Sequence, residues 1–265
     1  MQARTRNKPS QSAIAPYPLK QGEEILSSSR RPALEVYHLR FAYPDGHVAL
    51  HDVTLCIWQG ERVAIVGPNG AGKSTLMLHF NGILKGEGIV RVDSMEVAEP
   101  NLRKVRARVG MVFQNPDDQL FSPTVFDDVA YGPTYMGLTK DEVKQRVTWA
   151  LQQVHMEGYA SRVSHHLSVG EKRRIALATA LAMKPDILVL DEPSADLDPR
   201  ARRTLIKLLQ ELPQTLILSS HDLRLVKELC SRTIVLDEGR IVADGPTLDL
   251  LSDEALLYAH GLEPV

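Results

Sequence analysis

Cysteine is scarce: Cys56 and Cys230 are the only two in 265 residues. They match no metal-ligand spacing, and a disulfide scaffold is excluded. They are predicted to be buried thiols in a reducing compartment. Aromatic residues make up only 5% of the chain, so platforms for stacking nucleic-acid bases are not expected. The formal net charge is −2, far from the basic balance of a dedicated nucleic-acid binder. No stretch approaches the roughly 18 consecutive apolar residues of a membrane-spanning helix, and the N-terminus lacks the apolar core of a signal peptide. These absences predict a cytoplasmic chain that meets a membrane only through a partner. No internal repeat or heptad run is present. Nine histidines occur, but only His165-His166 are adjacent, with no third ligand at useful spacing, so a transition-metal centre is not expected.

The sequence is richest in information between residues 63 and 76. Val63-Ala64-Ile65-Val66 is an apolar, mostly β-branched run that reads as a strand buried on both faces. Gly67-Pro68-Asn69-Gly70-Ala71-Gly72-Lys73-Ser74 follows, then Thr75. This is G-x-x-x-x-G-K-S, the phosphate-binding P-loop pattern, in the required place between strand and helix. Glycines let successive N–H groups turn inward toward phosphate oxygens, and the helix N-terminus adds partial positive charge. Lys73 is positioned for the β- and γ-phosphates and the Ser74 hydroxyl for Mg²⁺. Apolar residues at 76, 77, 80, 83 and 84 predict one buried helix face extending to Leu84. The bland alternative is a glycine-rich turn that binds nothing.

Elsewhere the chain reads as α/β. Residues 1–31 are polar and aperiodic, which predicts a disordered extension; an ordered domain is expected over 32–265. Leu34-Glu35-Val36 and Val53-Thr54-Leu55-Cys56-Ile57 alternate as half-buried strands do, with a turn at Tyr43-Pro44-Asp45-Gly46 between them. Val90 and Val92 suggest another antiparallel strand. From about 115 to 180 the pattern is helical. Thr139 and Glu142 form a capping box before a helix that Gly158 is expected to stop. A second helix opens at Ser168 and runs to about Met183. Ile187–Leu190 and Leu216–Leu218 read as further buried strands, with Asp198-Pro199 starting a helix between them. Residues 233–236 and 240–243 read as a hairpin, and about 246–265 as a C-terminal tail.

Strand Ile187–Leu190 ends in Asp191-Glu192. An acid there, beside the P-loop strand, is suited to Mg²⁺, and the adjacent Glu192 to polarising an attacking water. Alone, such a pair is more often two solvated acids before a turn. With the P-loop upstream, the chain resembles the ATP-binding cassette (ABC) family, and the remaining motifs fall in that family's order. Gln114, after Val112-Phe113, looks like the Q-loop glutamine, which touches Mg²⁺ and senses a membrane partner. Leu167-Ser168-Val169-Gly170-Glu171 looks like the signature motif. It departs from the commonest form, L-S-G-G-Q, at Val169 and Glu171 but keeps Ser168 and Gly170. Ser168 and Glu171 also make an ordinary capping box, and a carboxylate near a triphosphate is unfavourable unless it turns back onto that cap. Ala195-Asp196-Leu197-Asp198 resembles the D-loop, His221 the switch histidine that hydrogen-bonds the γ-phosphate, and Tyr43 the aromatic that stacks on adenine.

The resemblance implies a P-loop NTPase of the ABC type: a parallel core sheet, an antiparallel β subdomain and an inserted α-helical subdomain. It implies ATP and Mg²⁺ as cofactors, Lys73, Glu192 and His221 as catalytic residues, and Ser74, Gln114 and Asp191 around the metal. It also implies a head-to-tail dimer, of two copies or with a paralogue, in which Ser168 of one chain closes over nucleotide on Lys73 of the other. Residues 114–121 and 124–133 resemble the ATPases of energy-coupling-factor importers, and 253–263 the cobalt/nickel branch of that group. The implied partners are integral-membrane coupling (T) and substrate-binding components, which place the chain peripherally on the cytoplasmic membrane face; Leu120 and Phe121 are expected to form a docking patch there. No nucleic-acid partner is implied. A soluble non-transport ABC ATPase, such as an iron–sulfur assembly factor, is the alternative.

Overall fold

The computed structural model describes residues 31–264. Of the expected N-terminal extension, all but Arg31 lies outside the described residues. Two sheets are present, a smaller antiparallel one and a larger one with strand β3 (Arg62–Val66) in its interior. The smaller sheet contains β1 (Pro32–Ala42), β2 (Val48–Trp58), β4 (Glu87–Val92) and β5 (Met95–Glu96), in the order β2-β1-β4-β5, all antiparallel. The larger contains β6 (Val109–Val112), β7 (Ile187–Leu190), β8 (Thr215–Ser219), β9 (Arg232–Asp237) and β10 (Arg240–Pro246) with β3. Its order is β10-β9-β3-β8-β7-β6, parallel except for the edge strand β10, which forms the expected hairpin with β9.

The apolar run in β3 has a direct cause. Ala64 and Val66 face one core, shared with Leu188, Leu190, Leu216 and Leu218 and with the helices. Val63 and Ile65 face the other, shared with Ile187, Val189, Ile217 and the antiparallel sheet. A strand covered on both faces has no polar positions to alternate with. The same covering reaches Cys56, whose end of β2 does not alternate: Leu55, Cys56 and Ile57 are all buried. Both cysteines are free and buried, and burial pushes each thiol up to about 12.

Helix α1 (Lys73–Phe80) follows β3 directly. It stops four residues short of the predicted end: the N–H groups of Ile83 and Leu84 turn back to the Leu78 carbonyl, and Gly82 takes φ 69°. Ile83 is consequently exposed. After α2 (Leu102–Arg108) come three longer helices, α3 (Val125–Tyr135), α4 (Lys140–Gln153) and α5 (Val169–Ala182), forming the helical region. The Thr139–Glu142 capping box opens α4 as expected. Gly158 does not close it. The helix ends at Gln153 because His155 adopts φ 54° and the Met156 N–H returns to the Leu151 carbonyl, with Met156 packed into the core. That is a Schellman-type stop made without glycine. Helices α6 (Pro199–Glu211), α7 (Leu223–Leu229), α8 (Thr247–Ser252) and α9 (Glu254–Ala259) complete the chain. No described helix is long and apolar enough to cross a membrane.

Candidate functional site

The loop between β3 and α1 is shaped by close backbone approaches. Gly67 has φ 151°, and a Cβ there would lie 1.9 Å from the Leu236 carbonyl oxygen. Gly72 has φ 97° and would put a Cβ 2.6 Å from the Ala49 carbonyl oxygen. No L side chain fits at either place. Gly72 is also the N-cap of α1, and no side chain caps that end. The N–H groups of the first turn, which have no intrahelical acceptor, are left facing the loop. Lys73 is buried and folds back, its Nζ donating to the carbonyls of Gly67 at 2.8 Å and Pro68 at 3.0 Å. Burial pushes its pKa down, while the nearby Glu192 and Asp191 carboxylates push it up. The ammonium is therefore parked on backbone carbonyls beside two acids.

Those acids sit where β7 ends. The Asp191 N–H donates to the Val112 carbonyl, fixing the strand end. The fully buried Ser219, at the end of β8, donates its hydroxyl to Asp191 Oδ1 at 2.5 Å and accepts the Glu192 N–H at 2.9 Å. Glu192 is 6% exposed and holds φ 44°, the left-handed region that a glutamate rarely adopts. Its Oε2 meets His221 Nδ1 at 2.8 Å and accepts the His221 N–H at 3.3 Å. Strand pairing of β7 with β8 thus delivers Asp191, Glu192, Ser219 and His221 to one place.

A cavity of about 750 Å³ gathers Tyr43, residues 67–75, Gln114, Glu192 and His221. The Tyr43 ring stacks on His47 (14° between planes) and its hydroxyl bonds Thr75 Oγ1 at 2.8 Å. Hence the β1–β2 turn is joined to the P-loop helix. Ser74, Gln114 and Asp191 supply a hydroxyl, an amide carbonyl and one carboxylate. Such a hard, lightly charged oxygen set fits Mg²⁺, which keeps several waters and completes its shell on phosphate.

The signature residues do not line that cavity. Ser168, Val169, Gly170 and Glu171 line a separate cleft of about 500 Å³ with Asp196 and Asp198. Ser168 caps α5 through a complete capping box with Glu171, so the carboxylate is turned back onto the cap as the sequence required. Asp198 caps α6, accepting the N–H groups of Arg200 and Ala201, and Asp196 has φ 60°.

Several residues of these sites carry no motif. Gly261, Leu262 and Glu263 of the C-terminal tail, with His47 and Ala49, also line the P-loop cavity. Arg173 on α5 is buried, lines the signature cleft and donates to the Glu192 carbonyl at 3.2 Å, bridging the two sites. Gln119 accepts the Phe113 N–H and donates to the Ala176 carbonyl at 2.9 Å and Thr179 Oγ1 at 2.5 Å, pinning the segment after Gln114 to α5. Only the spacing of a second polar amide after Gln114 hinted at it. The expected Leu120–Phe121 patch divides: Leu120 is 1% exposed and belongs to the core, whereas Phe121 is 62% exposed and meets the exposed Tyr131 edge-on. Leu120 follows directly on the clamped Gln119 and packs into the same core as α5.

A glycine loop on a buried strand, a lysine at an uncapped helix end and two acids on the next-but-one strand define a P-loop NTPase. The family profile described as ABC transporter matches residues 50–195. A putative ABC transporter ATP-binding protein of Streptomyces avermitilis is 54% identical over 88% of this chain and 89% of its own length. The energy-coupling factor transporter ATP-binding protein EcfA of Methanothermobacter thermautotrophicus is 49% identical over 86% of this chain and 76% of its own. The solved structure of CbiO1 from Clostridium perfringens, part of the ABC transporter complex CbiONQ, superposes with a TM-score of 0.76 at 38% identity, covering 86% of this chain and 94% of that one. The chain belongs to the ABC transporter family and is an ATP-hydrolysing ABC ATPase.

Proposed function

We propose that this chain is the motor subunit of an energy-coupling-factor importer, and that the cargo is a transition-metal ion such as cobalt or nickel. The carrying observation is the cavity that holds the P-loop, Gln114, Glu192 and His221 together, with the signature cleft set apart from it. The EcfA likeness supports the importer type; the CbiO1 likeness and the resemblance of residues 253–263 to the cobalt/nickel branch support the cargo.

In this reading Tyr43 stacks on adenine and the uncapped N-terminus of α1 receives the phosphates. Lys73 leaves its two carbonyls for the β- and γ-phosphates. Ser74, Gln114 and Asp191 would hold Mg²⁺, which would supply positive charge against the charge developing on the phosphates. Glu192 accepts a proton from the attacking water; burial and its fixed backbone aim it. His221, whose Nδ1 meets Glu192 Oε2, turns its ring to the γ-phosphate. Because Ser168–Glu171 and Asp196 and Asp198 line a different cleft, their phosphate contact is made in trans, on a second copy or a paralogous ATPase. The exposed Phe121 and Tyr131 face a coupling (T) component, which with a substrate-binding component forms the membrane part, so the chain works peripherally at the cytoplasmic face.

Glu192→Gln is expected to keep ATP binding while hydrolysis falls roughly 10²–10⁴-fold, so an ATP-bound dimer accumulates in gel filtration; wild-type turnover would move the base elsewhere. For the transport reading, tagged chain is purified from detergent-solubilised membranes. Recovery of a polytopic partner, and loss of radiolabelled cobalt or nickel uptake when the chain is deleted, are the expected results. Recovery of soluble assembly proteins alone would overturn the importer; a partner without a metal-uptake defect would overturn only the cargo.

A further inference from the structure

The signature helix of this chain begins with a carboxylate where a phosphate would have to arrive. Ser168 Oγ donates to Glu171 Oε2 at 2.7 Å and the Ser168 N–H donates to the same oxygen at 2.9 Å. The hydroxyl proton that would meet a phosphate is already committed to Glu171. The other carboxylate oxygen, Oε1, accepts a hydrogen bond from Tyr159 at 2.7 Å. Tyr159 is well placed to stay. It closes a turn whose N–H donates to the Met156 carbonyl, and the next residue, Ala160, accepts the Phe126 N–H of α3 at 2.8 Å. The Arg162 guanidinium covers the tyrosine ring at 4.0 Å, a cation–π contact that holds the ring in place.

We propose that Tyr159 is a positioning residue for ATP hydrolysis, holding the Glu171 carboxylate back on the cap while Ser168 exchanges that carboxylate for the incoming phosphate. The proposal rests on the reading that Ser168 meets nucleotide on a second chain. The reason is a count of donors. When the Ser168 hydroxyl rotates to a phosphate oxygen, Oε2 keeps only the Ser168 N–H. With Tyr159 on Oε1, the carboxylate still has two donors from opposite sides and stays folded back. Without it, one N–H remains, and the side chain is free to swing along the phosphate's approach, where like charges repel. The three donors hold the carboxylate down to about 2, so it is charged as the phosphate approaches. A glutamine at 171 would lack the charge, so its position would matter less.

The test is a double-mutant cycle on the full chain, reading kcat, KM for ATP and ATP-dependent dimerisation in gel filtration. Tyr159→Phe removes only the hydroxyl. It is expected to lower kcat/KM roughly tenfold, the size of one lost hydrogen bond to a charged group, with a small fall in melting temperature because the same bond also adds to folded stability. Glu171→Gln in the same chain is expected to bring activity back to within about twofold of Glu171→Gln alone. A merely structural role would give a loss that the amide does not rescue, and that result overturns the proposal; so does wild-type activity of Tyr159→Phe. Ser168→Arg separates this from the reading beneath it. If Ser168→Arg is inactive and Tyr159→Phe is normal, only the Tyr159 role falls; if Ser168→Arg hydrolyses ATP normally, the phosphate role of Ser168 falls with it.

Discussion

Two helix N-termini in this protein are built for opposite occupancy. At α1 the cap is Gly72, which has no side chain to offer, and its φ of 97° turns the chain so that the first-turn N–H groups face an open cavity. At α5 the cap is Ser168, whose partner Glu171 closes the box and whose carboxylate Tyr159 holds from the far side. Both ends carry the same partial positive charge. The first has no side-chain cap; the second is capped by Glu171, which in the proposed reading gives way to phosphate. A capped helix end contributes about 1 kcal/mol of stability, which the P-loop forgoes. Local stability and phosphate affinity pull on the same N–H groups, and the protein resolves the conflict differently at each end.

The contrast can be broken most sharply at the open end. Lys73→Ala removes the cation parked beside Asp191 and Glu192, and hydrolysis is expected to fall by roughly 10³-fold or more, with ATP binding strongly weakened. Near-normal turnover in an ATPase assay would mean that the uncapped end is not where phosphate is held. The relation between the two ends is tested by mixing differently tagged subunits. A Lys73→Ala chain paired with a Ser168→Arg chain puts both lesions in one site if each site is shared, leaving the other intact. Wild type paired with the double mutant then damages both sites. Higher ATPase activity in the first pairing is expected; higher activity in the second would place both helix ends at one nucleotide within a chain.

A smaller effect separates core from surface beside the Gln119 clamp. Leu120→Ser is expected to lose about 2–4 kcal/mol in a denaturant melt, because a fully buried leucine is replaced by a polar, smaller side chain. Phe121→Ser should leave the melt unchanged and reduce only partner-dependent transport. Equal destabilisation by both would mean that Phe121 is packed. The smallest effect is a pH dependence at the closed end. Hydrogen bonds from Tyr159 and Ser168 depress the Glu171 pKa from 4.5 to about 2. A carboxylate depressed on folding adds stability above its unfolded pKa and loses it as pH falls through the folded one. The Glu171 cap should therefore act fully above about pH 4.5 and fade between there and about 2. Glu171→Gln should flatten that part of a stability-against-pH curve; an unchanged slope would mean that the cap bonds do not distinguish folded from unfolded chain.

What was legible in the chain was what local rules dictate. Residues 63–75 announce a buried strand, a glycine loop and a helix start because each requirement is met within a few neighbours. The hairpin at β9–β10, the capping boxes at Thr139 and Ser168, and the Asp198-Pro199 start are local in the same sense, and all are present. Helix ends depart from the local reading where packing makes the stop: α4 closes on buried Met156 and left-handed His155, not on Gly158, and α1 closes on the Leu78 carbonyl. The sequence by itself determined which residues could hold phosphate, metal and water, because those demands fall on chemical type. Tertiary structure alone decided their company. Pairing of β7 with β8 brings Ser219 and His221 to Asp191 and Glu192, and the C-terminal tail brings Gly261 beside Pro68. Folding of 157–171 sets Tyr159 on Glu171. Such contacts join residues whose separation along the chain carries no periodic signal, since side chains far apart in sequence meet only through the packing of the elements that carry them.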